Sequence, residues 1–159
     1  MNKAYLLTGG NMGNREENLA KACKLISEQC GEPRAISSLY KTAAWGKNDQ
    51  PSFLNQVLEI YTELNPRQLL QQILKIEKQI GRVRKEKYGP RIIDIDILFY
   101  NDEAHDYPLL KLPHPEIQNR RFVLVPMAEI APTLVHPVLK KTIADLLQSC
   151  PDHLPVRKV

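Results

Sequence analysis

The chain of 159 residues lacks the Gly-x-x-x-x-Gly-Lys-Ser/Thr pattern with which P-loop proteins bind nucleotide phosphates. Its glycine turn, Gly9-Gly10-Asn11-Met12-Gly13, has neither the lysine nor the hydroxyl that this chemistry uses. The chain also lacks an Arg/Lys-Gly-aromatic-Gly-aromatic strand, the element on which RNA-recognition modules stack bases. These absences argue against a P-loop kinase and an RNA-recognition module, and we expect no nucleic-acid partner.

Cysteine and long apolar runs are also scarce. Cys23, Cys30 and Cys150 are an odd set without Cys-x-x-Cys spacing, which predicts reduced core thiols and a reducing compartment. The first apolar run ends at Gly9-Gly10, before it reaches the length of a signal-peptide core or a membrane span, and no later apolar run approaches the length of a membrane span. We therefore expect a cytoplasmic protein without a membrane partner.

The composition is that of one soluble globular domain, with 43% hydrophobic and 25% charged residues. We find no linker, low-complexity tract or internal repeat, so we predict a single catalytic domain over residues 1–159 that acts as a monomer. The formal net charge is +4, which favours anionic ligands such as nucleotide phosphates without selecting among them.

Periodicity and capping residues predict the order β-α-β-β-α-β. Alternation and helical spacing divide the first hundred residues into regular elements. These are a strand over residues 4–8, a helix capped by Asn14 with the stripe Leu19, Cys23, Ile26 and Cys30, strands over 35–42 and 53–64, a helix between Asn65-Pro66 and Gly81, and a strand from Asp94. This order indicates an α+β, ferredoxin-like sandwich.

Eight of the twelve prolines follow residue 100, which predicts an irregular C-terminal extension. Only two parts of it have regular patterns. The apolar stretch 122–130 is one of them, and residues 142–148 form the other, a helix with its own cap.

The chemistry is concentrated after the second predicted helix. Because strand side chains alternate, Asp94 and Asp96 share one face, while Ile93, Ile95, Ile97 and Phe99 are expected on the other. Two carboxylates so close repel each other unless a cation lies between them, and their hard oxygen atoms suit Mg²⁺ that carries a phosphate. The alternative is a solvated face whose acids pair with the neighbouring cations Arg82, Arg84, Lys85, Lys87 and Arg91.

The wider context favours the first interpretation. The segment Lys87-Tyr-Gly-Pro-Arg-Ile-Ile-Asp-Ile-Asp-Ile-Leu98 closely resembles the signature of the 6-hydroxymethyl-7,8-dihydropterin pyrophosphokinase family of folate biosynthesis. Other segments extend the similarity in the same order over nearly the whole chain. The resemblance implies transfer of a diphosphate from ATP to a pterin alcohol, with ATP as co-substrate and two Mg²⁺ ions.

The resemblance also implies roles for individual residues. Asp94 and Asp96 would bind the metals, and Arg82 and Arg91 would be catalytic. The pterin would contact Thr42, Ala43, Trp45, Phe53, Asn55 and Phe122, and the nucleotide would contact Arg82, Arg84, Lys85, Arg91, Ile97, His114 and Arg120. Ala43-Ala44, Trp45 and Pro115 depart from the residues common in the family, and Glu77, equally well a partner in a surface ion pair, is not assigned to the site.

A nucleotidyltransferase is the main enzymatic alternative, because those enzymes combine a glycine turn with a metal-binding Asp-x-Asp. In them the pair follows the turn closely, whereas here Asp94 lies far along the chain from Gly10. The spacing therefore argues against this class.

Overall fold

The computed structural model describes residues 1–43, 51–82 and 91–159. These residues form a mixed α/β fold with a six-stranded antiparallel sheet, a two-stranded hairpin and four α-helices. The strands are β1 (Asn2–Gly10), β2 (Gly31–Ile36), β3 (Tyr40–Thr42), β4 (Phe53–Thr62), β5 (Asp94–Tyr100), β6 (His105–Tyr107), β7 (Leu110–Leu112) and β8 (Val156–Lys158). The helices are α1 (Arg15–Gln29), α2 (Pro66–Ile80), α3 (Arg121–Ile130) and α4 (Ile143–Gln148).

The predicted caps define both long helices. The Asn14 side chain accepts a hydrogen bond from Glu17 N and begins α1. Asn65 and Gln68 form a reciprocal capping box at the start of α2, with Pro66 as its first residue. Gly81 ends α2 with φ 113°, a conformation that glycine adopts without steric cost. The boundaries of α2 were therefore predictable from local chemistry.

The sheet has the strand order β5-β1-β4-β3-β8, and β2 also pairs with β4. The prediction of one strand over 35–42 is wrong in detail, because this segment is divided between β2 and β3. Ser37 lies at the break, where its hydroxyl oxygen accepts the hydrogen bond of Val57 N. A side chain thus takes the place of a backbone partner, and the pairing resumes at Tyr40.

Strand β5 does not alternate through its whole length. Its register against β1 shifts between Tyr5 and Leu6, so that Ile97 pairs with Leu6 and Phe99 with Tyr5. Leu98 is the extra residue of a β-bulge. The expectation that Phe99 shares a face with Ile97 is therefore wrong: Phe99 packs with Leu98 on the other side of the sheet.

Both faces of the sheet are covered. Residues of α1 and α2, including Leu19 and Ile73, pack against one face, on which Ile95 and Ile97 also lie. Residues of α3 and α4, including Leu124 and Leu146, cover part of the other face. Cys30 and Cys150 are buried free thiols, as predicted, whereas Cys23 is only partly buried.

The C-terminal part is more regular than expected. It contains α3, α4, the β6–β7 hairpin and β8, which pairs with β3 and extends the main sheet. The predicted helix after Thr142 is present, capped by the Thr142 side chain. Seven of the eight late prolines lie between elements, and only Pro126 is inside a helix. These prolines separate the short elements and do not prevent them.

No helix among the described residues is both long enough and apolar enough to cross a membrane.

Candidate active site

A cavity of about 450 Å³ opens beside the edge strand β5. It brings together most of the residues assigned from the sequence. The lining includes Thr42, Ala43, Phe53, Asn55, Arg82, Arg91, Asp94, Asp96, His114, Arg120 and Phe122. These residues come from β3, β4, β5, α3 and the ends of the segments that join them, so the fold collects side chains that are remote in sequence.

Asp94 lies between two arginines. Its Oδ1 is 3.2 Å from Arg82 Nη2, and its Oδ2 is 3.4 Å from Arg91 Nε. For Asp96, by contrast, the described residues supply neither an ion pair nor a side-chain hydrogen bond. The second carboxylate is therefore the better placed of the two to accept an additional cation.

The electrostatics of the pair follow from burial and repulsion. Burial raises the pKa of Asp94, and the neighbouring Asp96 raises it further, against the opposing effect of Arg82 and Arg91. Burial likewise raises the pKa of Asp96, followed by repulsion from Glu77. The site thus holds negative charge at a cost that a bound cation would remove.

Glu77 belongs to this group, although the sequence analysis left it unassigned. Its Oε1 is 2.8 Å from Arg82 Nη1, and its Oε2 accepts a hydrogen bond of 2.8 Å from Ile95 N at the edge of the sheet. Burial raises its pKa, and these two contacts oppose the rise. Glu77 follows Ile73 by one helical turn on α2. The sequence signal that could have identified Glu77 as a site residue is an acidic side chain on the apolar stripe of a helix.

His114 lines the cavity as a neutral hydrogen-bond donor. Burial, and then the positive charge of Arg120, lower its pKa to about 4, so the ring is neutral near pH 7. Because Nδ1 accepts a hydrogen bond from Glu116 N, the proton of the neutral ring is on Nε2. His114 therefore acts as a donor without a positive charge of its own.

A different set of side chains forms the other end of the cavity. Asn55 is buried and donates from Nδ2 to Thr8 O over 3.4 Å. The Thr42 hydroxyl is buried without a hydrogen-bond partner among the described residues. Phe53 and Phe122 are partly exposed, and the Arg120 guanidinium lies 5.8 Å from the centroid of the Phe122 ring. This end suits a flat, polar-edged molecule.

An apolar part of the lining was not predicted from the sequence. It consists of Leu70, Leu74, Ile95 and Leu109, and Leu109 is 87% exposed. Leu70, Leu74 and Glu77 are spaced four and three residues apart along α2, which places them on one side of that helix. Leu154, from the C-terminal segment, also lines the cavity, and no sequence signal pointed to it.

Four assigned residues do not line the cavity with described side chains. Trp45, Arg84 and Lys85 lie outside the described residues. The Ile97 side chain is in the core beneath α1 and α2 and does not line the cavity. The backbone N–H of Ile97 points in the same direction as that of Ile95, which faces away from β1 at the outer edge of β5. Only the backbone of Ile97 can therefore meet a ligand.

Comparison with known proteins agrees with this geometry. Residues 5–132 match the family model of 7,8-dihydro-6-hydroxymethylpterin-pyrophosphokinase (HPPK). The chain is 43% identical over 145 residues to 2-amino-4-hydroxy-6-hydroxymethyldihydropteridine pyrophosphokinase of Aquifex aeolicus, covering 91% of this chain and 90% of the relative. It is 39% identical to the enzyme of the same name from Haemophilus influenzae, covering 97% of this chain and 96% of the relative.

Solved structures show the same fold. The chain aligns with wild-type Plasmodium falciparum HPPK-DHPS with a TM-score of 0.76 and 21% identity, over 93% of this chain and 43% of the other. It thus spans less than half the length of that longer protein. Together, the family match, the relatives and the cavity identify this chain as a member of the 7,8-dihydro-6-hydroxymethylpterin-pyrophosphokinase family.

Proposed function

We propose that this chain transfers a diphosphate from ATP to 6-hydroxymethyl-7,8-dihydropterin and releases AMP, as a step of tetrahydrofolate biosynthesis. One observation carries the proposal: a single cavity holds two carboxylates among arginines at one end and an aromatic and amide cluster at the other. The name shared by the relatives supports the same reaction.

The aromatic and amide end is the proposed pterin site. Phe53 and Phe122 can contact the faces of the flat ring. Asn55 and the Thr42 hydroxyl, which has no partner among the described residues, offer hydrogen bonds to its edge. A buried hydroxyl without a partner is costly, and a polar ligand edge would satisfy it. Ala43 lines the cavity beside Thr42, and we retain Trp45 as a proposed contact.

The cationic end is the proposed triphosphate site. Arg82, Arg91 and Arg120 line it, and guanidinium groups bind phosphate oxygens in a two-pronged geometry. His114 adds its Nε2–H, and Arg84 and Lys85 remain proposed contacts. The apolar lining of Leu70, Leu74 and Leu109, next to the free backbone edge at Ile97, suits the adenine base.

Two Mg²⁺ ions bound by Asp94 and Asp96 are part of the proposal. The donor set fits: both groups are hard carboxylates, burial and then repulsion from Asp96 raise the pKa of Asp94, and Asp96 has no ion pair among the described residues. No group of three or more metal-ligating side chains occurs among those residues, so phosphate oxygens and water would complete the coordination. The bound metal would neutralise charge on the phosphate oxygens.

The protein side chains then have distinct tasks in the reaction. The pterin hydroxyl oxygen bonds to the β-phosphorus and releases its proton to water, while the bond between the β-phosphorus and the oxygen that bridges it to the α-phosphorus breaks. AMP leaves with that bridging oxygen. Arg82 and Arg91 stabilise the charge that develops on the phosphate oxygens. Asn55 and the two phenylalanines hold the hydroxyl in line with the β-phosphorus.

We also propose the finer structural assignments made from the sequence. The order β5-β1-β4-β3 supports a ferredoxin-like arrangement of the central strands. We further propose that residues 1–159 are one catalytic domain that works as a monomer in the cytoplasm.

Product analysis tests the function. The chain is incubated with labelled ATP, Mg²⁺ and the pterin alcohol, and nucleotides are separated after the reaction. We expect AMP in equal amount to the diphosphorylated pterin. Formation of ADP, or the absence of pterin-dependent turnover, would overturn the proposal.

A further inference from the structure

The segment Gly9-Gly10-Asn11 contains the last two residues of β1, and the reaction as described leaves it without a role. It lies between the two ends of the cavity, because Gly9 pairs with Asn55 of β4 on one side and with Asp94 of β5 on the other. A Cβ atom on Gly9 would lie 2.1 Å from Asn55 Nδ2, and one on Gly10 would lie 2.3 Å from Ile92 O. Both distances are far below a permitted contact. Gly9 therefore contacts the proposed pterin side, and Gly10 contacts the segment that carries Arg91 and Asp94.

Asn11 hydrogen-bonds to both sides at once. Its Oδ1 accepts from Arg91 N over 2.8 Å, and its Nδ2 donates to Pro51 O over 3.0 Å. The backbone adds two bonds, since Asn11 N and Met12 N donate to Arg91 O over 2.9 and 3.1 Å. The Asn11 residue is 2% exposed, so water competes little for these bonds.

Arg15 makes a second set of hydrogen bonds on the proposed pterin side. Its Nη1 lies 2.9 Å from both the carbonyl oxygen and the hydroxyl of Ser52. Ser52 directly precedes Phe53, the first residue of β4. Asn11 and Arg15 together thus fix the chain just before the proposed pterin contacts.

We propose that Asn11 is a positioning residue, which sets the separation between the pterin contacts Phe53 and Asn55 and the phosphate-binding Arg91. This inference rests on the proposed function. Asn11 does not line the cavity, so it touches neither substrate and acts through the two backbones that it joins.

The kinetic consequence follows from this geometry. In-line transfer requires the pterin hydroxyl oxygen to be aligned with the β-phosphorus of ATP. A misplacement of about 1 Å can lower the rate on the order of 100-fold. Loss of Asn11 leaves each half of the cavity with its own ligand contacts. It should therefore lower kcat while the separate affinities for substrates stay nearly constant.

The test compares Asn11→Ala with Asn18→Ala. Asn18 Nδ2 donates to Met12 O over 3.2 Å, so the control removes a bond to the residue next to Asn11 without releasing Pro51 or Arg91. We expect Asn11→Ala to lower kcat on the order of 100-fold and Asn18→Ala to lower it less than about threefold. Calorimetry with the pterin alone and with a non-hydrolysable ATP analogue should show dissociation constants within about threefold of wild type in both variants.

A double-mutant cycle adds a second criterion. If Asn11 acts through Arg91, the Asn11→Ala change should cost far less in an Arg91→Ala background than in wild type. The inference would be overturned by additive effects in this cycle. It would equally be overturned by equal kcat losses in Asn11→Ala and Asn18→Ala, or by a large loss of affinity for one substrate in Asn11→Ala.

Arg15→Met keeps the test valid should Asn11→Ala not fold. It removes the two Ser52 bonds from a helix that otherwise remains intact, and we expect a smaller fall in kcat with both dissociation constants retained. An unchanged kcat would then overturn the inference. Wild-type AMP formation is measured in the same series, so failure of the proposed function is recognised separately.

Discussion

Asp96 shows at the level of one residue how a functional site opposes stability. Burial and then the repulsion from Glu77 raise its pKa, and the positive charges of Arg120, Arg82 and Arg91 offset this rise only in part. The folded-state pKa lies above the unfolded value, so proton binding stabilises the fold. That stability is fully present below about pH 3.9 and is lost as the pH rises through the raised pKa.

Asp96→Asn should therefore stabilise the metal-free protein at neutral pH and inactivate it. The isostere removes the repulsion and leaves the core side of β5 unchanged, while turnover should fall roughly 10³-fold or more through loss of a metal ligand. Thermal unfolding without Mg²⁺ and the rate of AMP formation measure the two effects. The exposed Asp102→Asn serves as control, and an Asp96→Asn rate within tenfold of wild type would contradict the metal assignment.

The arginines and Asn55 should separate catalysis from recognition. Arg82→Ala and Arg91→Ala should lower mainly kcat, because their guanidinium groups meet charge that develops during transfer. Asn55→Ala should raise mainly the pterin KM, because the proposed hydrogen bonds of the amide to the pterin edge are the same in the ground state and the transition state. Steady-state kinetics with both substrates varied decides this, and the reverse pattern would exchange the two roles.

Arg82 needs an additional control because it also pairs with the buried Glu77 over 2.8 Å. Removing one partner of a buried pair typically costs about 3 kcal/mol of unfolding free energy. The double variant Arg82→Ala with Glu77→Gln should recover stability in denaturant unfolding without recovering kcat. Recovery of both would show that Arg82 is structural.

At the scale of elements, the contact between β1 and β4 determines where Asn55 lies. Gly9 pairs with Asn55, and a Cβ on Gly9 would lie 2.1 Å from Asn55 Nδ2. The absence of a side chain on β1 is what allows the amide to lie across the sheet at the cavity.

Gly9→Ala should displace the Asn55 amide and so raise the pterin KM while the ATP KM stays close to wild type. Gly13→Ala is the matched control: Gly13 has φ 66°, so alanine is strained there, but its Cβ would meet nothing nearer than 3.5 Å. We expect it to reduce stability, by about 1 kcal/mol, without changing either KM. Equal KM effects in both variants would mean that the Asn55 contact is not responsible.

At the scale of the whole molecule, both proposed substrates share one cavity beside the sheet edge. Residues 44–50 and 83–90, which are adjacent in sequence to the lining residues Ala43, Arg82 and Arg91, lie outside the described residues. A bound nucleotide with its metal would neutralise the repulsion between Asp94 and Asp96 and would form one wall of the space that the pterin occupies.

We therefore expect pterin affinity to rise when a non-hydrolysable ATP analogue and Mg²⁺ are present. A coupling of about 1–3 kcal/mol is typical of linked sites. Calorimetry of pterin binding with and without the analogue measures it, and the Asp96→Asn variant should show a smaller coupling. Equal affinities in wild type would mean that the two sites are independent.

The amino-acid sequence by itself determined those features that depend on local chemistry. The caps Asn14 and Asn65 and the left-handed Gly81 bound the helices as predicted, because they act on backbone groups a few residues away. The Asp-x-Asp face also followed from the period of a strand. The family resemblance added residues such as Asn55 and His114 that periodicity could not select.

Tertiary structure decided what depends on distant partners. The bulge at Leu98 moves Phe99 to the opposite face, because register is set by the neighbouring strand. Strand β8 forms because β3 offers an edge to pair with, and Glu77 meets Arg82 and Ile95 only after α2 packs beside β5. The link from Asn11 to Pro51 and Arg91 joins residues 40 and 80 positions apart, a relation that no local pattern encodes.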